Sequence, residues 1–418
     1  MNNDNEIMLD ANVLYKAYKN TLKANPQKPQ TQRFEVDWLH NIAEIRKELA
    51  TGEYKPGGKT QFIARERGKV RLIRAAQVKD KVIQHAFTDE VLLPALRPKL
   101  IYDNYASLEG RGVALARKRL DIMLRRYWRR YRSNKGYILL MDFSGYYDNL
   151  RHNLVYKATS RHIKGDLNLS LLKKVIDSCK QDVSFLTNDE ITKIYNGRYK
   201  SLDYIHIPKE AKTGEKMLPK GMDIGDQVAQ AIAVYMPTPI DNFVKIVAGE
   251  PFYGRYMDDS FIINPDKERL RYLLAKIEAI TRELGIILNP KKVRILPLGR
   301  TFTFMQVKYF MTDTGRVVKR INPKRVTAMR RKLKKLARMV KTGKREYWRV
   351  HTMYNSWRCD YFRIMSKAQR RRMDTLYTEL FAKEIKEYEL LQIRPRYRQI
   401  YWNDRSRTGR MADADCRA

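Results

Sequence analysis

A mixed α+β fold is the class this sequence predicts, and three observations carry the prediction. Several segments repeat apolar residues at helical spacing. Two apolar runs read as strands buried on both faces, and each delivers aspartate, one at its end and the other at its centre. A pair of short segments rich in β-branched and apolar residues flanks a glycine and reads as a hairpin.

Residues 1–30 are polar, run into NPQKPQTQ, and read as a partly ordered lead-in with a short linker. Across residues 34–49, Val36, Leu39, Ile42, Ile45 and Leu49 recur at helical spacing, and Gly52 stops the helix. KTQFIARERGKVRLIRAAQ reads as two strands around a turn at Arg67-Gly68, and KDKVIQHAFTDEVLLPAL returns to helical spacing. Residues 113–132 place Ala116, Leu120, Met123, Leu124, Tyr127 and Tyr131 on one face within a shell of Arg and Lys, so this basic helix packs its aromatic stripe inward. The run Tyr137-Ile138-Leu139-Leu140-Met141 ends in Asp142, and the apolar stretch 253–263 is interrupted by Asp258-Asp259. Further on, Val326, Met329, Leu333, Leu336 and Met339 give one apolar seam inside a dense basic shell. After Leu391 the tail is short of apolar residues and is expected to be disordered without a partner.

Composition narrows the function. With 84 Lys+Arg against 46 Asp+Glu, the 418-residue chain carries a formal net charge of +38, and 43% hydrophobic residues still suffice for a core. No run approaches the ~18 apolar residues of a membrane span, and the first residues lack the layout of a signal peptide, so a cytoplasmic location is expected. Cys179, Cys359 and Cys416 form no CxxC pair and make neither a disulfide framework nor a zinc site by themselves. A charge run is usually a solvated face. In a chain this basic, Lys324, Arg325, Arg330, Arg331, Lys332, Lys334 and Lys335 read instead as nucleic-acid contacts, since Lys and Arg on phosphates release counterions.

A lone aspartate at a strand end is usually a cap or turn residue. Three of them at apolar strand termini in a basic protein ask for a cation, because like charges at close range raise one another's pKa. Oxygen-only ligands favour Mg²⁺ or Mn²⁺. Two such ions activate an attacking hydroxyl and stabilise the leaving oxygen of an in-line phosphoryl displacement, which points to a polymerase or a nuclease.

Tyr256-Met257-Asp258-Asp259 resembles the YxDD box of reverse transcriptases. LLMDFSGYYDNLRH (139–152) resembles their first palm motif and GKVRLIRAAQVKDKVIQHAF (68–87) the fingers motif of bacterial members. IGDQVAQAIAVYMPTPID (224–241) resembles the motif between the acidic boxes, and LGIILNPKK (284–292) the one after them. The resemblance implies a right-hand polymerase fold: fingers over 31–136, palm over 137–158 and 216–310 with an insertion at 159–215, a helical basic thumb over 311–390, and a basic tail over 391–418. It makes Asp142 and Asp258 ligands of two Mg²⁺ ions, with the Phe143 carbonyl completing the site and Asp259 as supporting acid. Tyr147 falls where the family sets an aromatic ring under the sugar, which selects deoxynucleotides. Lys69 and Arg71 resemble the pair that grips the triphosphate, Gly225 the glycine that lets backbone approach the nucleotide, and Lys292 the lysine proposed to protonate pyrophosphate, with Lys291 as its alternative.

Ile224 stands where many members have Gln, and Ala229 departs from the diversity-generating pattern. The region after the last palm motif has room for a thumb but not for the maturase region usual in intron-encoded enzymes, which disfavours that role, and Val317-Val318-Lys319 in place of a VTG box disfavours a retron. Two roles fit: an anti-phage defence enzyme working with a structured noncoding RNA, which the long basic thumb and tail favour, or the polymerase of a diversity-generating element. A catalytically silent RNA-binding ribonucleoprotein component is the reading from another class, opposed by the intact acids. The implied partners are an RNA template, a DNA product and deoxynucleoside triphosphates, with no membrane.

Overall fold

The computed structural model describes residues 6–24, 26–66 and 69–381. The chain divides into two compact units, Met1–Ser107 with Leu139–Ile295, and Leu108–Ile138 with Leu296–Ala418.

In the first unit, the segment read as a partly ordered lead-in carries a helix, Ala11–Ala24. Leu14, Ala17, Tyr18 and Leu22 fall on one face of it and are buried, and Tyr18 stacks on Trp38 with ring centroids 5.9 Å apart. The apolar face is only four residues wide among Lys, Asn and Tyr, which is why composition hides it. The helix expected across residues 34–49 breaks at Asp37, where the backbone turns to φ −130°, ψ 47°. Ile42, Ile45 and Leu49 therefore point inward from Trp38–Ala50, whereas Val36 and Leu39 are left exposed. Helix Val78–Phe87 packs against Ala11–Ala24 and buries Val82, Ile83 and Phe87.

Strands β1 (Thr60–Glu66) and β2 (Lys69–Ala75) pair antiparallel from Thr60 opposite Ala75 to Glu66 opposite Lys69. The turn expected at Arg67-Gly68 lies outside the described residues. A four-stranded sheet follows, built from β3 (Tyr137–Met141), β4 (Tyr253–Tyr256), β5 (Asp259–Asn264) and β6 (Arg294–Pro297) in the order β4-β5-β3-β6. Ile138, Leu139 and Met141 of β3 and Phe261, Ile262 and Ile263 of β5 are buried, as their continuous apolar runs demand. Helix Lys267–Glu283 covers β5 with Leu270, Leu273 and Ile277, and helix Gln227–Tyr235 is buried along nearly its whole length.

Within residues 159–215, a capping box in which Thr187 and Glu190 exchange hydrogen bonds starts helix Asn188–Asn196. The buried Lys220 ammonium ends it, donating to the carbonyls of Ile194, Tyr195 and Gly197 at 2.9, 3.1 and 2.7 Å. Those carbonyls are the groups a helix C-terminus leaves unpaired.

The second unit contains the basic helix Val113–Tyr131, read from sequence as the end of the fingers, and a three-stranded antiparallel sheet. Its strands β7 (Phe302–Phe304), β8 (Val307–Met311) and β9 (Val317–Ile321) lie in the order β9-β8-β7. Ala116, Leu120, Met123, Leu124 and Tyr127 are buried as the spacing predicts, while Tyr131 is 38% exposed. Gly315 takes φ +76°, and a Cβ there would meet the Trp128 ring at 2.2 Å, so both backbone and space require glycine. Helices Pro323–Lys341, Tyr347–Tyr361 and Lys367–Phe381 share a core of Met329, Leu333, Val350, Tyr354, Met373 and Tyr377. Arg358 forks onto Asp374 with two 2.7 Å bonds, linking the last two helices. Among the described residues, no helix is long and apolar enough to cross a membrane.

Candidate active site

Sheet order brings the acids together. Asp142 follows the last residue of β3, and Asp258-Asp259 sits at the connection of β4 to β5, the neighbour of β3. Tyr256 pairs with Asp259, so Met257 and Asp258 form a two-residue turn. Met257 carries φ +53°, unusual for a residue with a side chain and found where surrounding structure enforces it. Arg255, wholly buried, donates from Nη1 to the Met257 carbonyl at 3.1 Å and braces this turn. Asp241 holds Arg255 in turn through bonds of 2.8 and 2.6 Å, and the guanidinium also donates to the Val234 carbonyl at 2.8 Å.

The chain after β3 is fixed by the segment before β6. Ser144 N–H donates to the Ile287 carbonyl at 2.7 Å, and Asn289 N–H donates to the Asp142 carbonyl at 2.8 Å. The Asn289 side chain then donates to Asp142 Oδ2 at 3.2 Å, and a turn later Lys292 Nζ lies 2.7 Å from Asp142 Oδ1. Carboxylate oxygens of Asp142, Asp258 and Asp259 all lie within 4.8 Å of one another.

Three carboxylates and one ammonium leave this pocket negative. Burial pushes the Asp259 carboxyl up to about 7, and Asp258 and Asp142 push the same way against the pull of Lys292. Burial works against the Lys292 ammonium, but its bond to Asp142 and the surrounding carboxylates outweigh it and raise its pKa. An all-oxygen donor set in which Asp259 is held well above the ordinary carboxylate range fits a divalent cation of the Mg²⁺ or Mn²⁺ kind.

Tyr147 is half-buried beside this cluster. Burial, and then the charge of Asp258, raise its phenol well above its ordinary range. Its carbonyl accepts a 2.9 Å bond from Met222 N–H, which lays residues 222–226 alongside it. Ile224 in that loop is half-buried, and Gly225 is exposed with φ +108°, a conformation glycine alone adopts freely. The side chain of Phe143 is buried against Tyr146, with ring centroids 5.2 Å apart. Lys69 and Arg71 stand two residues apart on β2, and Arg71 is half-buried. The seven basic residues assigned to nucleic acid lie in the other unit, on Pro323–Lys341, and all but Arg325 are exposed.

Sequence reading passed over Asn289 and the Arg255–Asp241 pair. A signal existed for both: Asn289 belongs to the quoted LGIILNPKK segment, and Arg255 is a lone cation inside an otherwise apolar run.

Carboxylates gathered at a strand end and an adjacent hairpin turn form a donor set that could hold the divalent cations of a phosphoryl-transfer site. The family described as reverse transcriptase (RNA-dependent DNA polymerase) matches residues 55–309, which hold every one of these groups except the seven basic residues on Pro323–Lys341. More than half the chain is covered, and the protein belongs to that family. It is an RNA-directed DNA polymerase, a nucleotidyltransferase acting on an RNA template and deoxynucleoside triphosphates to give DNA. Members of the family work with divalent metal ions. No curated protein matches the chain.

Proposed function

We propose that the chain adds deoxynucleotides to a primer 3′-hydroxyl by two-metal chemistry at Asp142, Asp258 and Asp259. The observation that carries this reading is the convergence of those three carboxylates on one point beside Lys292. Asp142, Asp258 and the Phe143 carbonyl hold two Mg²⁺ ions, and Asp259 supports them. When bound, the ions make the hydroxyl a better nucleophile and offset charge on the triphosphate. Tyr147 sits under the sugar and excludes a 2′-hydroxyl, and Ile224 and Gly225 line the nucleotide. Lys69 and Arg71 neutralise the phosphates, while Lys292, kept protonated by its acidic neighbours, supplies a proton to departing pyrophosphate.

The basic helix Pro323–Lys341 holds nucleic acid through phosphate contacts. In the cell the template is a dedicated structured noncoding RNA and the role is anti-phage defence in the cytoplasm. The dense basic charge of the region after the palm supports this, as does the imperfect match of Ile224 to Gln230 to diversity-generating enzymes. Asp258→Ala is expected to abolish primer extension while RNA binding persists. Loss of both together would make that acid structural and the reading wrong. Sequencing the RNA that copurifies with the protein decides the role: one structured RNA species supports defence, and a repeat paired to a variable coding region contradicts it.

A further inference from the structure

A second cluster of buried charge lies outside the carboxylate site. Cys179 Sγ and carboxylate oxygens of Asp223 and Asp226 lie within 4.8 Å of one another, and all three residues are buried. The cation there is a lysine. The Lys59 ammonium, only 6% exposed, hydrogen-bonds Asp223 and lies 3.7 Å from Asp226 Oδ2 and 3.6 Å from the Cys179 sulfur. Arg74 Nε approaches Asp223 from the other side at 3.4 Å. Two cations thus balance two carboxylates. Burial works against the Lys59 ammonium, but the surrounding sulfur and carboxylates outweigh it and raise its pKa, so it stays charged. Asp226 Oδ2 is buried without a hydrogen-bond partner, so the charge of Lys59 is what compensates it.

The positions of these residues matter more than their charge. Lys59 immediately precedes β1, and Arg74 lies in β2, so both belong to the root of the hairpin that carries Lys69 and Arg71. Asp223 and Asp226 bracket Ile224 and Gly225, and the same stretch is bonded to the Tyr147 carbonyl through Met222. The approach of Lys59 is fixed as well. Asp80 accepts from Tyr54 Oη at 2.9 Å and from Gly57 N–H at 3.0 Å, pinning the strand of chain that leads to it. Arg74 also donates to the carbonyls of Ser178, Cys179 and Lys180 at 3.1, 3.1 and 3.2 Å, closing the third wall.

We propose that Lys59 is a positioning residue for the incoming nucleotide. Together with Arg74 it clamps the loop 223–226 to the root of the β1–β2 hairpin, so that the phosphate-gripping hairpin and the nucleotide-lining loop hold one register. This rests on the nucleotide-binding reading of Lys69, Arg71, Tyr147, Ile224 and Gly225. Lys59 touches no reacting atom in that scheme. Its loss changes how well the nucleotide is held and leaves the carboxylate site as it is.

Lys59→Met alone sets two buried carboxylates against Arg74, so the test uses Lys59→Met with Asp223→Asn, which keeps the cluster neutral. Two measurements are made on the full-length chain: steady-state deoxynucleotide incorporation, and amide hydrogen exchange of residues 60–75 and 222–226. The expected result is a KM for deoxynucleotide raised about tenfold at little-changed kcat, with a melting temperature near that of wild type and faster exchange in both segments. An unchanged KM, or a fall confined to kcat, overturns the proposal, as does faster exchange in one segment only. If wild-type protein incorporates no deoxynucleotide while exchange still rises in both segments, the nucleotide reading fails and the positioning role with it. An active wild type with an unshifted KM in the double variant removes the role of Lys59 alone.

Discussion

Arg255 reaches past its own strand to donate from Nη1 to the Met257 carbonyl, 3.1 Å away, and so a fully buried guanidinium braces the turn that presents Asp258. The pair Arg255–Asp241 is wholly desolvated, with the Tyr253 hydroxyl bonded to the same carboxylate at 2.5 Å. A buried pair of this kind adds little stability over an apolar pair, but breaking it leaves one charge alone.

Asp241→Ala is therefore expected to lower stability by about 3–5 kcal/mol in urea unfolding, since Arg255 stays buried without its carboxylate. Where the variant remains folded, synthesis should fall by about 10²-fold because the Met257 turn loses its brace. Normal stability in Asp241→Ala would mean that solvent or another acceptor satisfies the guanidinium.

Tyr147 gives a sharper test of chemistry. Replacing it with Ala opens the space next to Asp258 while leaving the Met222–Tyr147 backbone bond in place. Ribonucleotide incorporation relative to deoxynucleotide is expected to rise by about 10²-fold, the scale of a rejected hydroxyl. An unchanged ratio in single-nucleotide extension assays would make Tyr147 an ordinary packing residue.

Lys332, Lys334 and Lys335 are exposed on one helix, so their joint replacement by Ala should leave the melting temperature unaltered. RNA binding should weaken and the plot of log affinity against log salt should flatten, by roughly 0.7–0.9 in slope for each phosphate that is no longer neutralised. A salt slope equal to that of wild type would take this helix out of the nucleic-acid path.

Asp226 gives a pH signature with a definite sign. Burial pushes its carboxyl up to about 6 from an ordinary 3.8, with Lys59 pulling it down less strongly. The folded state thus binds a proton that the unfolded state releases, and the associated stability is present below pH about 4 and lost as pH rises through about 6. Asp226→Asn should erase that slope. The difference between the two proteins in urea midpoint, followed from pH 4 to pH 7, checks it, and a constant difference would show Asp226 to titrate normally.

The parts of the site legible in the sequence are those written in local pattern. An apolar run that stops at Asp142, and another that is split by Asp258-Asp259, announce buried strands with carboxylates at their ends, and the sheet puts the two together. Lys292 came from the resemblance of LGIILNPKK to a family motif, with Lys291 as its alternative, and its ammonium lies 2.7 Å from Asp142 Oδ1. Arg255, Asn289 and Lys59 act through partners 14, 147 and 164 residues away, Asp241, Asp142 and Asp223 in turn. Such pairings leave no periodicity behind. The helix Ala11–Ala24 was hidden because its buried face is narrow, and the break at Asp37 because the apolar spacing continues across it without capping chemistry. The expected disorder after Leu391 lies outside the described residues.

The central claim is templated deoxynucleotide addition at the Asp142–Asp258–Asp259 site. The most direct test is primer extension by the purified full-length chain on an RNA template with Mg²⁺, supplying deoxynucleotides or ribonucleotides in parallel, with Asp142→Ala and Asp258→Ala beside wild type. The account predicts extension with deoxynucleotides alone, absent from both variants although they bind the template as wild type does. Extension that survives in either variant, or that proceeds equally with ribonucleotides, would contradict it.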